Sequence, residues 1–169
     1  MFGDLKRSRI IAYSAAFIAL MTLGSWVSIP FFPVPFTLQT LFVLLAGAVM
    51  KRYAVVPVAL YVVLGALGLP VFHNGVAGVG ILLGPSGGYL IGFIPAALVT
   101  GFAYEQKSRL IRVTVLALST MIILGSGAAW LVYSTGMLPV AALVVGVLIF
   151  LPGDTVKACA AYLIAQRLP

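Results

Sequence analysis

The ten basic and three acidic side chains of this 169-residue chain stand between long apolar stretches or at their edges, with two exceptions, Asp154 and Lys157. Hydrocarbon offers a backbone no hydrogen-bond partners, so apolar stretches of this length suit membrane-crossing helices. With 63% apolar residues, 8% charged and a mean hydropathy of +1.20, no polar stretch remains from which a soluble domain could be built. Residues 1–169 are expected to form one domain, an all-α integral membrane protein. Its six-helix bundle has spans at about 9–29, 37–50, 53–68, 87–104, 111–133 and 152–167. Some are shorter than the ~20 residues that cross about 30 Å of hydrocarbon, as helices that meet loops at membrane depth can be.

The net charge of +7 is a topology signal and not a nucleic-acid one. Lys6, Arg7 and Arg9 precede the first span, Lys51 and Arg52 separate the second and third, and Lys107, Arg109 and Arg112 separate the fourth and fifth. Arg167 closes the last. The connections at about 29–36, 69–86 and 134–138 hold no Lys or Arg. Basic connections on alternate sides and an even number of spans place both termini in the cytoplasm of a multi-pass cell-membrane protein. The basic N-terminus looks like that of a signal peptide. The apolar run after it is longer than a signal core and lacks a small-residue cleavage site, so it is taken as the first span. The single cysteine, Cys159, cannot form an internal disulfide and sits among Ala158, Ala160 and Ala161 as a packing residue.

Small residues recur along the first span at Ser8, Ala12, Ala16, Gly24 and Ser28, with Ala15 and Ala19 on the neighbouring ridge. Such spacing lets helix backbones approach closely, inside the bundle or against another subunit. The connection Ile29-Pro-Phe-Phe-Pro-Val-Pro-Phe36 cannot be helical, because its prolines remove donors and force extended neighbours. Residues 69–88 form the longest irregular stretch, too apolar for a solvated linker and expected to fold back on the bundle. One helix over 139–165 would be about 40 Å long. Pro152-Gly153-Asp154 resolves this as a helix start, with proline in the first turn and the carboxylate at the positive end of the dipole. Residues 137–150 then make a short outer or re-entrant apolar segment, and Asp154 lies about 20 Å from the cytoplasmic end, in the outer half of the bilayer.

On this topology Gln39, His73, Asn74, Tyr89, Asp154 and Lys157 gather at the outer level. Apolar walls with a few donors and acceptors suit a pocket for a small polar molecule. An ionisable side chain in hydrocarbon costs roughly 2.5–3.5 kcal/mol. A buried ion pair is weak evidence for stability, so a purely structural Asp154–Lys157 pair is the less economical explanation. Enzymatic readings fail on inventory. An intramembrane aspartyl protease needs two carboxylates, and only one lies within a span. Gly84-Pro-Ser-Gly87 matches the short serine motif of rhomboid proteases, but the only histidine, His73, lies upstream in a loop. There is no phosphate-binding loop, so the chain cannot be its own ATPase. His73 alone makes no metal site, and no cofactor is implied.

Four stretches resemble the BioY family, the biotin-binding S components of energy-coupling factor (ECF) transporters. They are Thr37-Leu-Gln-Thr-Leu-Phe-Val-Leu-Leu-Ala-Gly47, Gly68-Leu-Pro-Val-Phe72, Gly84-Pro-Ser-Gly-Gly-Tyr-Leu-Ile-Gly-Phe93 and Leu151-Pro-Gly-Asp-Thr-Val-Lys157. They occur in family order and, with the alanine-rich first span, cover nearly the whole chain. The resemblance implies an S-component fold with a high-affinity biotin site near the outer face. Its contacts would come from Asp154 and Lys157 and from Asn74 in the loop after the third span, with Tyr89 and Gln39 nearby. It also implies docking through Ala15 and Ala19, with Ala12 and Ala16 next, onto a transmembrane coupling subunit that works with an ATPase pair. An arginine that some relatives carry near the start of the fourth span has no counterpart at residues 86–93. The alternatives are an S component for another vitamin and a proton- or ion-coupled carrier with Asp154 as relay. A relay needs a polar path, and the cytoplasmic halves of the spans offer no second acid or histidine.

Overall fold

The computed structural model describes residues 2–168, with side chains from Arg7 onward, so the side chains of Asp4 and Lys6 lie outside the described residues. The chain is mostly helical. Helix α1 spans Phe2–Trp26, α2 Gln39–Met50, α3 Val55–Ala66, α4 Val79–Leu83, α5 Gly87–Tyr104, α6 Arg109–Thr135, α7 Pro139–Leu143 and α8 Leu151–Arg167. A 3-10 turn at Lys51–Ala54 joins α2 to α3, and a π-helical turn at Val144–Leu148 follows α7.

By length and hydropathy the described residues contain four candidate membrane spans: Arg7–Trp26, Gln39–Ala66, Gly87–Tyr104 and Arg109–Thr135. A fifth arises if Pro139–Leu148 and Leu151–Arg167, which meet at 40°, count as one. The stretch Gln39–Ala66 is not straight. The Gln39 side-chain amide donates to the Tyr61 hydroxyl, 22 positions further on. In a straight helix those residues would be about 33 Å apart, so the chain doubles back between them. The reversal falls at Lys51, whose φ of 55° and ψ of −139° are not helical. Gly101 of α5 receives the turn: a Cβ there would come within 2.3 Å of the Lys51 carbonyl oxygen.

Helix α2 is the hub, packed on α1, α5 and α8, with Val43, Leu44 and Ala46 almost wholly enclosed. Helices α5 and α6 make the most extensive pairing, seated on glycine. A Cβ on Gly88 would stand 2.2 Å from the Trp130 Cβ, and one on Gly127 would stand 2.2 Å from the Tyr89 ring. At one end of the bundle Arg52 holds Glu105 through two hydrogen bonds of 2.7 Å, tying the α2–α3 turn to the end of α5. At the other end Ser25 of α1 donates to the Val71 carbonyl at 2.8 Å, as the Tyr61 hydroxyl does at 2.6 Å.

The proline-rich connection is non-helical. It is closed at its base by a two-residue antiparallel ladder, β1 (Ser28–Ile29) with β2 (Phe36–Thr37), pairing Ser28 with Thr37 and Ile29 with Phe36. The stretch after α3 folds back on the bundle, with Phe72 fully buried and edge-on to Tyr61 at 5.7 Å. A 3-10 turn at His73–Gly75 and the short α4 give it local order. Helix α8 begins at Leu151 with Pro152 in its first turn, where a missing N–H costs nothing.

Candidate functional site

A cleft at the end of the bundle opposite Arg52–Glu105 is lined from four directions. The proline-rich connection and its base give Val34, Pro35 and Thr37; α2 gives Gln39 and Thr40; α5 gives Tyr89, Leu90 and Phe93. Phe150, Asp154 and Lys157 close it from the α7–α8 side. The two charges are almost wholly removed from solvent, at 3% and 5% exposure. They face each other one helical turn apart, with Lys157 Nζ 2.6 Å from Asp154 Oδ1.

The pair is embedded in a polar cluster reaching across to α2. Lys157 Nζ also donates to the Thr37 carbonyl at 2.6 Å and to Thr40 Oγ1 at 3.0 Å. The Thr40 hydroxyl donates to Asp154 Oδ1 at 2.9 Å. An ammonium has three donors, and here each has an acceptor. Asp154 Oδ1 thus accepts twice, whereas Oδ2 has no hydrogen bond among the described residues. The Lys157 ammonium also lies 3.7 Å from the centroid of the Phe36 ring, a cation–π contact that offsets part of its desolvation. Phe36 stacks on Phe150 at 5.9 Å, and Tyr89 tilts against Phe150 at 6.1 Å. Gly153 makes room for this wall, since a Cβ there would meet the Phe36 ring at 2.3 Å. The result is one carboxylate, one ammonium and two threonines in a sleeve of aromatic rings.

Of the residues expected to form the site, Asp154, Lys157, Gln39 and Tyr89 come together on the cleft. Gln39 is committed to Tyr61 and to Thr37, and the Tyr89 hydroxyl donates to the Gly146 carbonyl at 2.8 Å. Both therefore shape the wall more than they offer free polar atoms. Asn74 is not brought in. It is exposed, and its Oδ1 accepts from Ser28 Oγ at 2.7 Å, outside the lining. Its neighbour His73 lines the cleft instead, with a buried Nδ1 that has no partner. Partial burial holds the His73 pKa below the usual imidazole value. Thr40, Phe36, Phe150 and Phe72 do not stand out in the sequence, where hydroxyls and rings in an apolar helix or loop resemble ordinary packing. The i, i+3 spacing of Thr37 and Thr40 at the start of a very apolar span is the available signal.

On α1, Ala12, Ala15, Ala16 and Ala19 are all exposed on the outside of the bundle, whereas Gly24 is buried against Phe42 of α2.

The model of the BioY family matches residues 3–169. The chain belongs to the BioY family. It is 42% identical to the biotin transporter BioY of Thermotoga maritima over 171 residues, covering 95% of each chain. It is 36% identical to the probable biotin transporter BioY of Pyrococcus horikoshii, covering 96% of this chain and 97% of the relative. Among solved structures it is similar to a crystal structure of the S-component for biotin from an ECF-type ABC transporter. The TM-score is 0.88 at 27% identity, covering 97% of this chain and 92% of that one. This BioY chain is accordingly a multi-pass membrane protein with the S-component fold, in a family of transport components and not of enzymes.

Proposed function

We propose that this BioY chain is the substrate-capturing S component of a biotin transporter, binding biotin in the cleft around Asp154 and Lys157. The observation that carries this is the buried Asp154–Lys157–Thr40 cluster, ringed by Phe36, Tyr89 and Phe150 in a chain of this family. Biotin combines a ureido group that both donates and accepts hydrogen bonds, an apolar bicycle and a carboxylate. Asp154 Oδ2 has no competing bond and can accept from the ureido N–H groups. The aromatic sleeve suits the bicycle. Lys157 serves the carboxylate by exchanging the Thr40 hydroxyl for it, an ionised acceptor replacing a neutral one.

The spans number six in this proposal, with α2 and α3 as separate short crossings, and both termini are cytoplasmic. The reversal at Lys51 supports the count, and the gathering of basic connections at the Arg52–Glu105 end supports the orientation. Without a phosphate loop the chain needs an ATPase pair and a coupling subunit for concentrative uptake. The exposed alanines of α1 are the proposed docking face, and Lys157, Asp154, Gln39 and Tyr89 are the proposed substrate residues, with Asn74 joining them only if its loop moves on binding.

Calorimetry of the purified protein with biotin and with other vitamins is the test, and tight binding of biotin alone is expected. Asp154→Asn should weaken binding through the ureido ring. Lys157→Met should remove the preference for the free acid, so that biotin methyl ester binds this variant about as well as biotin. Binding of a different vitamin, with none of biotin, overturns the assignment. A retained strong preference for the free acid removes Lys157 from the carboxylate.

A further inference from the structure

A second cavity, of about 460 Å³, runs along the outside of the bundle between α6 and α8. Its walls are Val113, Leu116, Ala117, Thr120 and Met121 on one helix and Thr155, Ala158, Cys159, Tyr162 and Leu163 on the other. From Val113 to Met121 the groove follows α6 for about 12 Å, most of the ~15 Å depth of one leaflet of hydrocarbon. Nothing in the cleft described above reaches it.

The two helices run antiparallel, so Val113 and Leu163 mark the same end of the groove. One turn beyond each, on the same helix face, stand Arg109 and Arg167. Both are exposed, and among the described residues neither has an ion pair or hydrogen bond. Arg112, on the same helix as Arg109, is already engaged. It donates to the Gln106 carbonyl at 3.0 Å, and its guanidinium stands 5.2 Å from the Tyr104 ring centroid. Arg52 is likewise engaged, with Glu105. An apolar channel spanning most of one leaflet, with two uncommitted arginines one helical turn beyond its end, matches an amphiphile with an acyl chain and an anionic head. Arginine forks match phosphate geometry, and basic positions where helices meet the cytoplasmic interface attract anionic headgroups.

We propose that the α6–α8 groove binds one anionic phospholipid, with an acyl chain between Ala117 and Cys159 and the headgroup phosphate held by Arg109 and Arg167. The site rests on the membrane location and on the proposed cytoplasmic placement of the Arg109 and Arg167 ends, and is independent of the biotin assignment.

Native mass spectrometry of the detergent-purified full chain, incubated with equal amounts of dioleoyl phosphatidylglycerol and dioleoyl phosphatidylcholine, tests it. One phosphatidylglycerol should be retained several-fold more often than phosphatidylcholine. Arg109→Gln with Arg167→Gln should bring the two lipids to near parity, and Ala117→Phe, which fills the groove, should lower retention of both. Thermal melts of each variant report the fold without reference to any vitamin. Parity of the two lipids on the parent protein, or an undiminished preference in the double arginine variant, overturns the proposal. So does a lipid-free dimer that cross-links through Cys159, since a second copy would then occupy the groove.

Discussion

Lys157 and Asp154 are coupled tightly enough that neither can be removed cleanly. With Thr37 and Thr40 they satisfy every donor of the ammonium inside an apolar wall. Deleting one member of a buried pair leaves the other unpaired, which costs about 3–5 kcal/mol, whereas replacing both by apolar side chains is often close to neutral. Lys157→Met alone should therefore lower the melting temperature more than Lys157→Met combined with Asp154→Leu, and the double variant, without the Asp154 acceptor, should lose ligand. A double variant less stable than the single one would mean that the pair itself stabilises the fold. The pair was legible in the sequence through scarcity, as the only charges set inside apolar stretches. Its partners were less so. One acceptor of Lys157 is the backbone carbonyl of Thr37, which no side-chain pattern announces. Asn74 and His73 are adjacent in sequence, and residue type alone does not tell that His73 is the one lining the cleft.

At the scale of helices, the close approach of α5 to α6 is set by side chains that are absent. A Cβ on Gly88 would sit 2.5 Å from the Ser126 carbonyl oxygen as well as against Trp130, and backbone cannot swing aside. Gly88→Ala should destabilise the protein by about 1–3 kcal/mol, the usual range for overpacking. Gly125, on the same α6 stretch, would carry a methyl with nothing within 4 Å of it. Gly125→Ala should be neutral or stabilising by up to about 1 kcal/mol, through helix propensity. Melts of the two variants side by side separate contact from propensity. On α1 the alanine face is open, so Ala15→Trp or Ala19→Trp should leave biotin binding within a few-fold of the parent and abolish co-purification with the coupling subunit. Intact complexes with both tryptophans would move the docking face elsewhere. The helices were legible from apolar runs broken by Pro, Gly and charge. The start of α8 falls within a residue of the expected position because proline is favoured in the first turn. The bond by which Gln39 of α2 reaches Tyr61 of α3 was not legible, since it depends on which helix faces find partners.

Over the whole molecule, the two ends of the bundle are built on different terms. The cleft end holds buried charge, and the opposite end holds Arg52 and Glu105 in solvent. The Arg52 guanidinium holds the Glu105 carboxyl below the usual carboxylate range, chiefly through their hydrogen bond. A carboxylate with a depressed folded pKa contributes stability above its unfolded value, about 4.3, and loses it as pH falls through the folded one. The contribution is small for so exposed a pair. Arg52→Gln should melt slightly below the parent at pH 7, with the gap closing as the pH drops beneath about 4. A gap unchanged at low pH would assign the effect to packing of Arg52 over the Phe102 ring. The alternation of basic connections made this two-ended organisation legible, whereas the assembly of the cleft from distant stretches was not.

That assembly bears on how the protein is made. Thr40 and Asp154 are 114 positions apart, and the cluster joins the second helix to the last. During synthesis the wall supplied by Phe150, Asp154 and Lys157 leaves the ribosome after the other walls of the cleft. Until it arrives, Thr37 and Thr40 face an open flank of α2 with no charge to bind. A nascent chain therefore has no capacity to take up substrate, and competence appears in one step as α8 docks.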